Sequence, residues 1–380
     1  MDVIDWGTAQ RIGELMAGSP PFGGVRAASV EPLAREFAGK VGAYSGLEVA
    51  GELPALELVD RPGWIAANLR TMRPMLAPLT DSMSASKGPL AGPLRSISGL
   101  LLGVQLGGLA GMLSQRVLGQ YDLALLDANV TPRLLLLAPN LAQAARTLDV
   151  DRDELVLWVS IHEITHAVQF SGAPWLRDYL GGILAELIEG LQVSMTGGDG
   201  GEGADGEERA NGDGGERGGW RASLPNMGDW RGSLPDAAEL REMVERARRG
   251  ELLRLTLGED RWALVERMQA AMSLIEGHAE HTMDAIGAEV LPSLPRLRAA
   301  MTHRREHRGL PWRVLERLLG LELKMRQYKL GRDFCDAVVD AAGPQGLALA
   351  WSGPEALPTT IELERPSLWV ARVVGASAAA

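Results

Sequence analysis

Cysteine is nearly missing from this chain: Cys335 is the one thiol in 380 residues. A single cysteine forms no internal disulfide, and it makes a cysteine-based zinc site an unlikely design. Cys335 lies in the apolar stretch Phe334 to Val339, which suits a small buried side chain. Positive charge is also short. The formal net charge is −11 and the pI near 5.2, a balance that favours solubility and disfavours general nucleic-acid binding. Aromatic residues make up 5% of the chain, and ten of the eighteen are tryptophan. Hydrophobic residues still reach 46%, enough for a sizeable core.

Two further absences bear on location. The start, Met1-Asp2-Val3-Ile4-Asp5-Trp6, has no basic n-region and no apolar h-region, so no signal peptide is expected and a cytoplasmic location is the default. No long apolar run is present either. The nearest is Ile97 to Leu113, interrupted by Ser98 and Gln105. It falls short of the roughly 20 apolar residues of a membrane span. Its Gly99, Gly103, Gly107 and Gly111 recur every fourth residue and form one smooth helical stripe. Such a stripe lets another backbone approach closely. A buried, tightly packed helix is expected here, in preference to membrane contact.

What is present reads as mainly helical. Asp5 caps a helix to about Met16, ended by Gly18, Pro20 and Pro21. Val30 to Ala38 and Trp64 to Met75 have helical spacing, with a turn at Arg61-Pro62-Gly63. Tyr121 to Asp127 and Leu134 to Ala138 are short, apolar and separated by Asn129, Thr131 and Pro132, which predicts two strands joined by a turn. Asp149 or Asp151 caps the next helix, which carries Asp153 and Glu154 in its first turn and runs to about Ser171. Gly172 and Pro174 end it. Helices follow at Trp175 to Met195, Asp236 to Arg249, Glu259 to Ile286 and Trp312 to Lys329. A strand is expected around Thr360 to Leu363.

The stretch 197–219 differs in style. Eleven of its 23 residues are glycine and most of the rest are charged. It cannot bury enough apolar surface to offset its ordering entropy, so it is expected to be a disordered insertion. Arg296 to Arg332 is locally basic, and reads as a solvated helical surface or an anion site.

The chemistry is concentrated in His162-Glu163-Ile164-Thr165-His166. Four-residue spacing on a helix puts both imidazoles on one face, about a turn apart. Two such nitrogens can ligate one tetrahedral Zn2+. Glu163 stands beside the first histidine, within reach of a zinc-activated water, whose proton it can take and pass to a leaving group. Leu155, Trp158, Val159 and Ile161 face the core.

A catalytic zinc needs a third protein ligand and an open position. Candidates cluster at Glu276-Gly277-His278-Ala279-Glu280-His281. Glu276 is favoured, because it precedes a small residue that permits close packing. His278 and Glu280 are the alternatives. Glu280 also suits an outer-shell role, orienting a ligand histidine, and Asp284 is a further candidate for that role. Tyr328 is a possible oxyanion stabiliser, with Tyr179, Arg326 and His278 as others. His303 and His307 share the four-residue spacing but sit among arginines, and are expected to be surface residues.

Several blocks together resemble a bacterial family of zincin-like metallopeptidases, often labelled hydrolases. Some members are associated with biosynthesis of a deazaflavin coenzyme. The blocks are Val59-Asp60-Arg61-Pro62-Gly63-Trp64-Ile65 with Ala67-Asn68, the His162 to His166 helix, and Glu276-Gly277-His278. Leu323-Lys324-Met325-Arg326-Gln327-Tyr328 and Pro354-Glu355-Ala356-Leu357-Pro358 complete them. The resemblance covers most of the chain. It implies a mostly helical zincin-like fold, and Glu276 at the glutamate-ligand position. Related sequences often carry Asp where this chain has Glu280.

The expectation is therefore an α+β, mainly α-helical protein with a zincin-like metallopeptidase core and a short β-hairpin or small sheet. Residues 1–120 form an N-terminal helical region packed on a catalytic core of 121–196 and 220–330, and 331–380 packs on it as well. Zn2+ is the expected cofactor and a peptide or protein the expected substrate. The competing expectation is a non-catalytic zinc-containing binding or assembly factor linked to cofactor metabolism.

Overall fold

The computed structural model describes residues 3–18, 20–21, 24, 31–84, 91–196, 258–306 and 321–378. The expected insertion at 197–219, the helix at 236–249 and His307 lie outside the described residues.

Among the described residues the protein is mostly helical around one small sheet. In chain order the elements used below are α1 (Trp6–Ala17), α2 (Glu31–Ser45), β1 (Leu56–Val59), α3 (Arg61–Ser84), α4 (Ala91–Ser114), β2 (Gly119–Asp122), β3 (Arg133–Leu137), α5 (Ala138–Leu148), α6 (Arg152–Gly172), α7 (Trp175–Thr196), α8 (Glu259–Val290), α9 (Leu294–Glu306), α10 (Leu321–Ala348) and α11 (Thr360–Glu364). Helix α10 bends at Gly343, whose φ of 69° precedes Pro344.

Strand β3 is the middle of the sheet. It pairs parallel to β1 and antiparallel to β2, with Tyr121 opposite Leu134 and Gly119 opposite Leu136. Its side chains alternate between two cores. Leu134 and Leu136 join the larger core with residues of α2, α6, α8 and α10. Leu135 and Leu137 join a second core with Ala9, Trp64, Ile65 and Ala110. Burial on both faces explains why the strand is a run of leucines, without polar alternation. The two expected strands do pair, but the first spans Gly119–Asp122 and not Tyr121 to Asp127, so a connection longer than a turn joins them. Strand β1 was not foreseen, because Leu56-Glu57-Leu58-Val59 is only four residues long, too short a run to stand out as a strand.

Helices α1 and α4 run in the same direction and touch backbone to backbone. A Cβ at Gly99, Gly103, Gly107 or Gly111 would lie under 3.0 Å from a carbonyl oxygen of Val3, Asp5, Ala9 or Gly13, respectively. The glycine stripe is thus packed as expected, but the helix is not buried all round, since Leu100, Leu101 and Val104 are exposed. No described helix is long and apolar enough to cross a membrane. Asp5 caps α1 by accepting from Thr8 N–H at 2.8 Å.

Two expectations need correction. Arg61-Pro62-Gly63 is the first turn of α3, with the Asp60 carboxylate accepting from Gly63 N–H at 2.8 Å. Arg61 itself is buried and donates to Asn140 Oδ1 at 2.8 Å and to Ala17 O at 2.7 Å, tying α1 to α5. Thr360 to Leu363 is helical, where a strand was expected. Thr359 accepts from Glu362 N–H, while the Glu362 carboxylate accepts from Thr359 N–H at 2.9 Å. This reciprocal capping box nucleates a helix and outweighs the short apolar alternation.

Among the described residues, two arginines of the basic stretch have the following partners within the protein. Arg296 meets Asp149 at 2.6 Å, and Arg304 donates to Arg116 O at 2.9 Å.

Candidate metal centre

Helix α6 begins where Asp151 accepts from the N–H groups of Asp153 and Glu154, each at 2.9 Å. Those two acidic residues sit at the positive end of the helix dipole. Most of α6 is buried, since the sheet, α2 and α8 surround it. His162 and His166 project from one face, their ring centroids 4.7 Å apart and nearly perpendicular.

Glu276 reaches them from α8. Its Oε2 is 3.6 Å from Nε2 of both histidines, and the two Nε2 atoms are 3.2 Å apart. A tetrahedral zinc with bonds of about 2.0–2.1 Å has ligand atoms roughly 3.3–3.4 Å from one another. The three observed separations bracket that value, so the donor set fits the metal in size as well as in type. Among the described residues, His162, His166 and Glu276 form the one group of three metal-ligating side chains this close.

Electrostatics point the same way. Burial alone would lower the basicity of His166, but the Glu276 and Glu163 carboxylates outweigh it and raise the imidazole to about 9. Burial alone would raise Glu276, but His166 and His162 hold it well below the usual carboxylate range. The pocket therefore favours a bound positive charge, which a metal ion can supply in place of the proton.

Glu163 is buried and held by the sheet. Its Oε2 accepts from Tyr121 N–H at 2.8 Å. Burial pushes its carboxyl above the usual range, against the pull of the two imidazoles. Gly119 makes this approach possible, since a Cβ there would lie 2.8 Å from Glu163 Cγ and Oε1.

Glycine also brings Glu276 into place. A Cβ at Gly277 would overlap Gly331 of α10, and one at Gly331 would overlap Ser273 O of α8. The two helices thus meet backbone to backbone beside the Glu276 carboxylate.

The remaining candidates are placed as follows. His278 is 1% exposed and faces Gln169, Thr282 and Trp351, apart from the three clustered donors. Burial drives its basicity down to about 3, helped by His281 and His166. Glu280 is partly buried and is not one of the three clustered donors. Asp284 pairs with Arg298 and with Arg332 at 2.7 Å. The Tyr179 hydroxyl accepts from Arg267 Nε at 3.3 Å. Tyr328 and Arg326 lie on α10, with their side chains outside the described residues. His303 is exposed.

Two residues in direct contact with the centre were not foreseen. Gly119 meets Glu163, and Gln169 meets His166 Nδ1 at 2.9 Å. The three-residue step from His166 to Gln169 on one helix was the signal available for the second.

A family model described as zincin-like metallopeptidase matches residues 4–370. A solved structure from Chloroflexus aurantiacus, described as a "putative hydrolase with a novel fold", is similar at 27% identity and a TM-score of 0.63. The likeness covers 97% of this chain and 98% of that one. No curated protein matches the chain.

Proposed function

The chain belongs to the zincin-like metallopeptidase family, and from that premise we propose that it is a zinc-dependent hydrolase acting on peptide bonds. The observation that carries the reading is the tetrahedral-edge spacing of His162 Nε2, His166 Nε2 and Glu276 Oε2, with the buried Glu163 carboxylate beside them. His162, His166 and Glu276 would hold the zinc as three protein ligands, the number typical of a catalytic site, where a structural site has four.

When bound, zinc supplies a water of lowered pKa and polarises the scissile carbonyl. Glu163 does the proton work. Burial makes its carboxylate more basic than usual, so it can take a proton from the attacking water and return it to the leaving amine. Tyr121 N–H fixes the carboxylate for this task. Strand β2 is an edge of the sheet. Leu118 O accepts from Leu137 N–H, so by alternation the main-chain groups of Gly119 and Tyr121 face away from β3, toward α6. Tyr121 N–H is committed to Glu163, so an extended peptide pairing with that edge would use the remaining main-chain groups of Gly119 and Tyr121.

The test is Glu163→Gln, assayed for zinc content and for cleavage of a peptide library. Zinc should remain, and cleavage should fall by about 10²–10⁴-fold. Cleavage at the wild-type rate would overturn the mechanism.

A further inference from the structure

Gln169 lies on the same face of α6 as His166, one turn on, and is wholly buried. Its side-chain amide has three partners. Nε2 is 2.9 Å from Ile275 O and 2.9 Å from His278 Nδ1, while Oε1 is 2.9 Å from His166 Nδ1. Ile275 is the residue before Glu276. One amide therefore spans both helices that carry the candidate ligands.

The partners fix which way the amide points. A backbone carbonyl only accepts hydrogen bonds, so the NH2 end must face Ile275 O. The oxygen end then faces His166, and an oxygen only accepts. His166 Nδ1 must accordingly carry its proton and donate it. In the neutral ring, the form that binds metal, that leaves Nε2 bare, on the side where Nε2 of His162 and Oε2 of Glu276 converge. The second N–H of Gln169 points at His278 Nδ1, which accepts it. His278 then carries its proton on Nε2, toward Thr282 Oγ1 at 3.5 Å. His278 is 1% exposed and Thr282 fully buried, so water does not compete for these bonds.

We infer that Gln169 is a positioning residue that sets the metal-ready tautomer of His166, and that His278 and the Ile275 carbonyl lock its amide in that orientation. The inference rests on the zinc reading above. An acceptor on the far nitrogen of a ligating histidine orients the ring and raises its basicity, and losing that acceptor commonly weakens metal binding by about 10–100-fold. His278 thereby acts through Gln169 and not as a ligand.

Two variants and one spectrum test this. Gln169→Met keeps the volume and removes the amide. Its zinc affinity, measured by competition with a chelator, should drop at least tenfold from wild type, and the absorption bands of the cobalt-substituted protein should shift. Gln169→Glu restores an acceptor to His166, and its protonated form can still donate to Ile275 O. Its affinity should return to within about threefold of wild type. Equal affinity in wild type and Gln169→Met would overturn the inference, as would failure of Gln169→Glu to recover any of the loss.

Should Gln169→Met not fold, the tautomers of the unaltered protein decide. Nitrogen-15 spectra of histidine-labelled protein should show His278 protonated on Nε2, with or without zinc, and His166 protonated on Nδ1 in the zinc-loaded form. A proton on His278 Nδ1 would refute the inference whatever the metal result. Wild-type protein that takes up no zinc would instead sink the proposed function, and the His278 tautomer would still judge the relay.

Discussion

Helices α1 and α4 meet through four glycines of α4 that press on the backbone of α1 and of the residues just before it, and α8 and α10 meet through Gly277 and Gly331. The local physics is the same: a hydrogen where a Cβ would collide lets two backbones touch. The surroundings differ. The first crossing belongs to the second core, with Trp64, Ile65 and the outer face of β3. The second lies next to Glu276 and within a turn of Ser273, His278 and the Gln169 contact. A glycine-mediated crossing therefore says nothing about function by itself. It would acquire a functional consequence where the residue beside it is a candidate metal ligand, as Glu276 is.

The comparison is sharpest if each crossing is forced apart in turn. Gly331→Leu places a side chain against Ser273 O, so α10 must move away from α8. We expect a loss of about 3 kcal/mol or more in stability, with zinc affinity lowered at least about 10-fold, because Glu276 shifts relative to the two histidines. Thermal unfolding and chelator competition measure the two effects. Wild-type zinc affinity in a folded Gly331→Leu protein would break the distinction between the crossings.

Removing zinc probes the same contrast without mutation. A ligand present at about 100 times its Kd stabilises the native state by roughly 2.7 kcal/mol. Chelation should therefore lower the Tm, and hydrogen exchange should quicken in α6 and α8, which supply the donors. Exchange in α1 and α4 should not change. Quickening confined to α1 and α4 would place the metal elsewhere.

Gly107→Ala is the milder counterpart. The added methyl would overlap the Ala9 backbone, and overpacking of this kind costs about 1–3 kcal/mol. Alanine's better helix propensity returns about 1 kcal/mol, so a net loss of up to about 2 kcal/mol is expected. Zinc affinity of the folded protein should equal that of wild type. A fall in affinity would show that the two crossings are coupled through the sheet.

The two crossings also differ in how much of them the sequence reveals. Gly99 to Gly111 repeats at a helical spacing, so one segment displays the whole surface. Gly277 and Gly331 come from separate helices, and neither is conspicuous alone. The same division runs through the centre. His162, Glu163 and His166 are legible because one helix turn carries them. Glu276 stood out through its acidic, histidine-rich neighbourhood and the family resemblance. Gln169 was not singled out, since its role depends on Ile275 O and His278, which come from another helix. Gly119 was missed for a similar reason: its lack of a side chain matters only because Glu163 comes up beneath it. Local rules also compete. The Ile361 and Leu363 alternation read as a strand, but Thr359 and Glu362 were already spaced as a capping box.

Between the crossings lies the sheet, and its rim gives the smallest expected effect. Arg133 at the start of β3 meets Glu57 of β1, with Nε 2.9 Å from Oε1. The hydrogen bond to Arg133 lowers the Glu57 carboxyl below its ordinary value, against a smaller opposing effect of burial. The folded state thus binds fewer protons than the unfolded chain as the solution turns acid. The pair's contribution is complete above the unfolded carboxylate range, near 4.5, and is lost as pH falls through the lower folded value. Both side chains are partly exposed, so the contribution should lie within about 0–1 kcal/mol. Glu57→Gln should reduce stability by no more than that at neutral pH and leave zinc affinity unchanged, and the difference from wild type should vanish in acid. A difference that persisted below the folded value would mean that Glu57 acts through packing of the sheet edge and not through its charge.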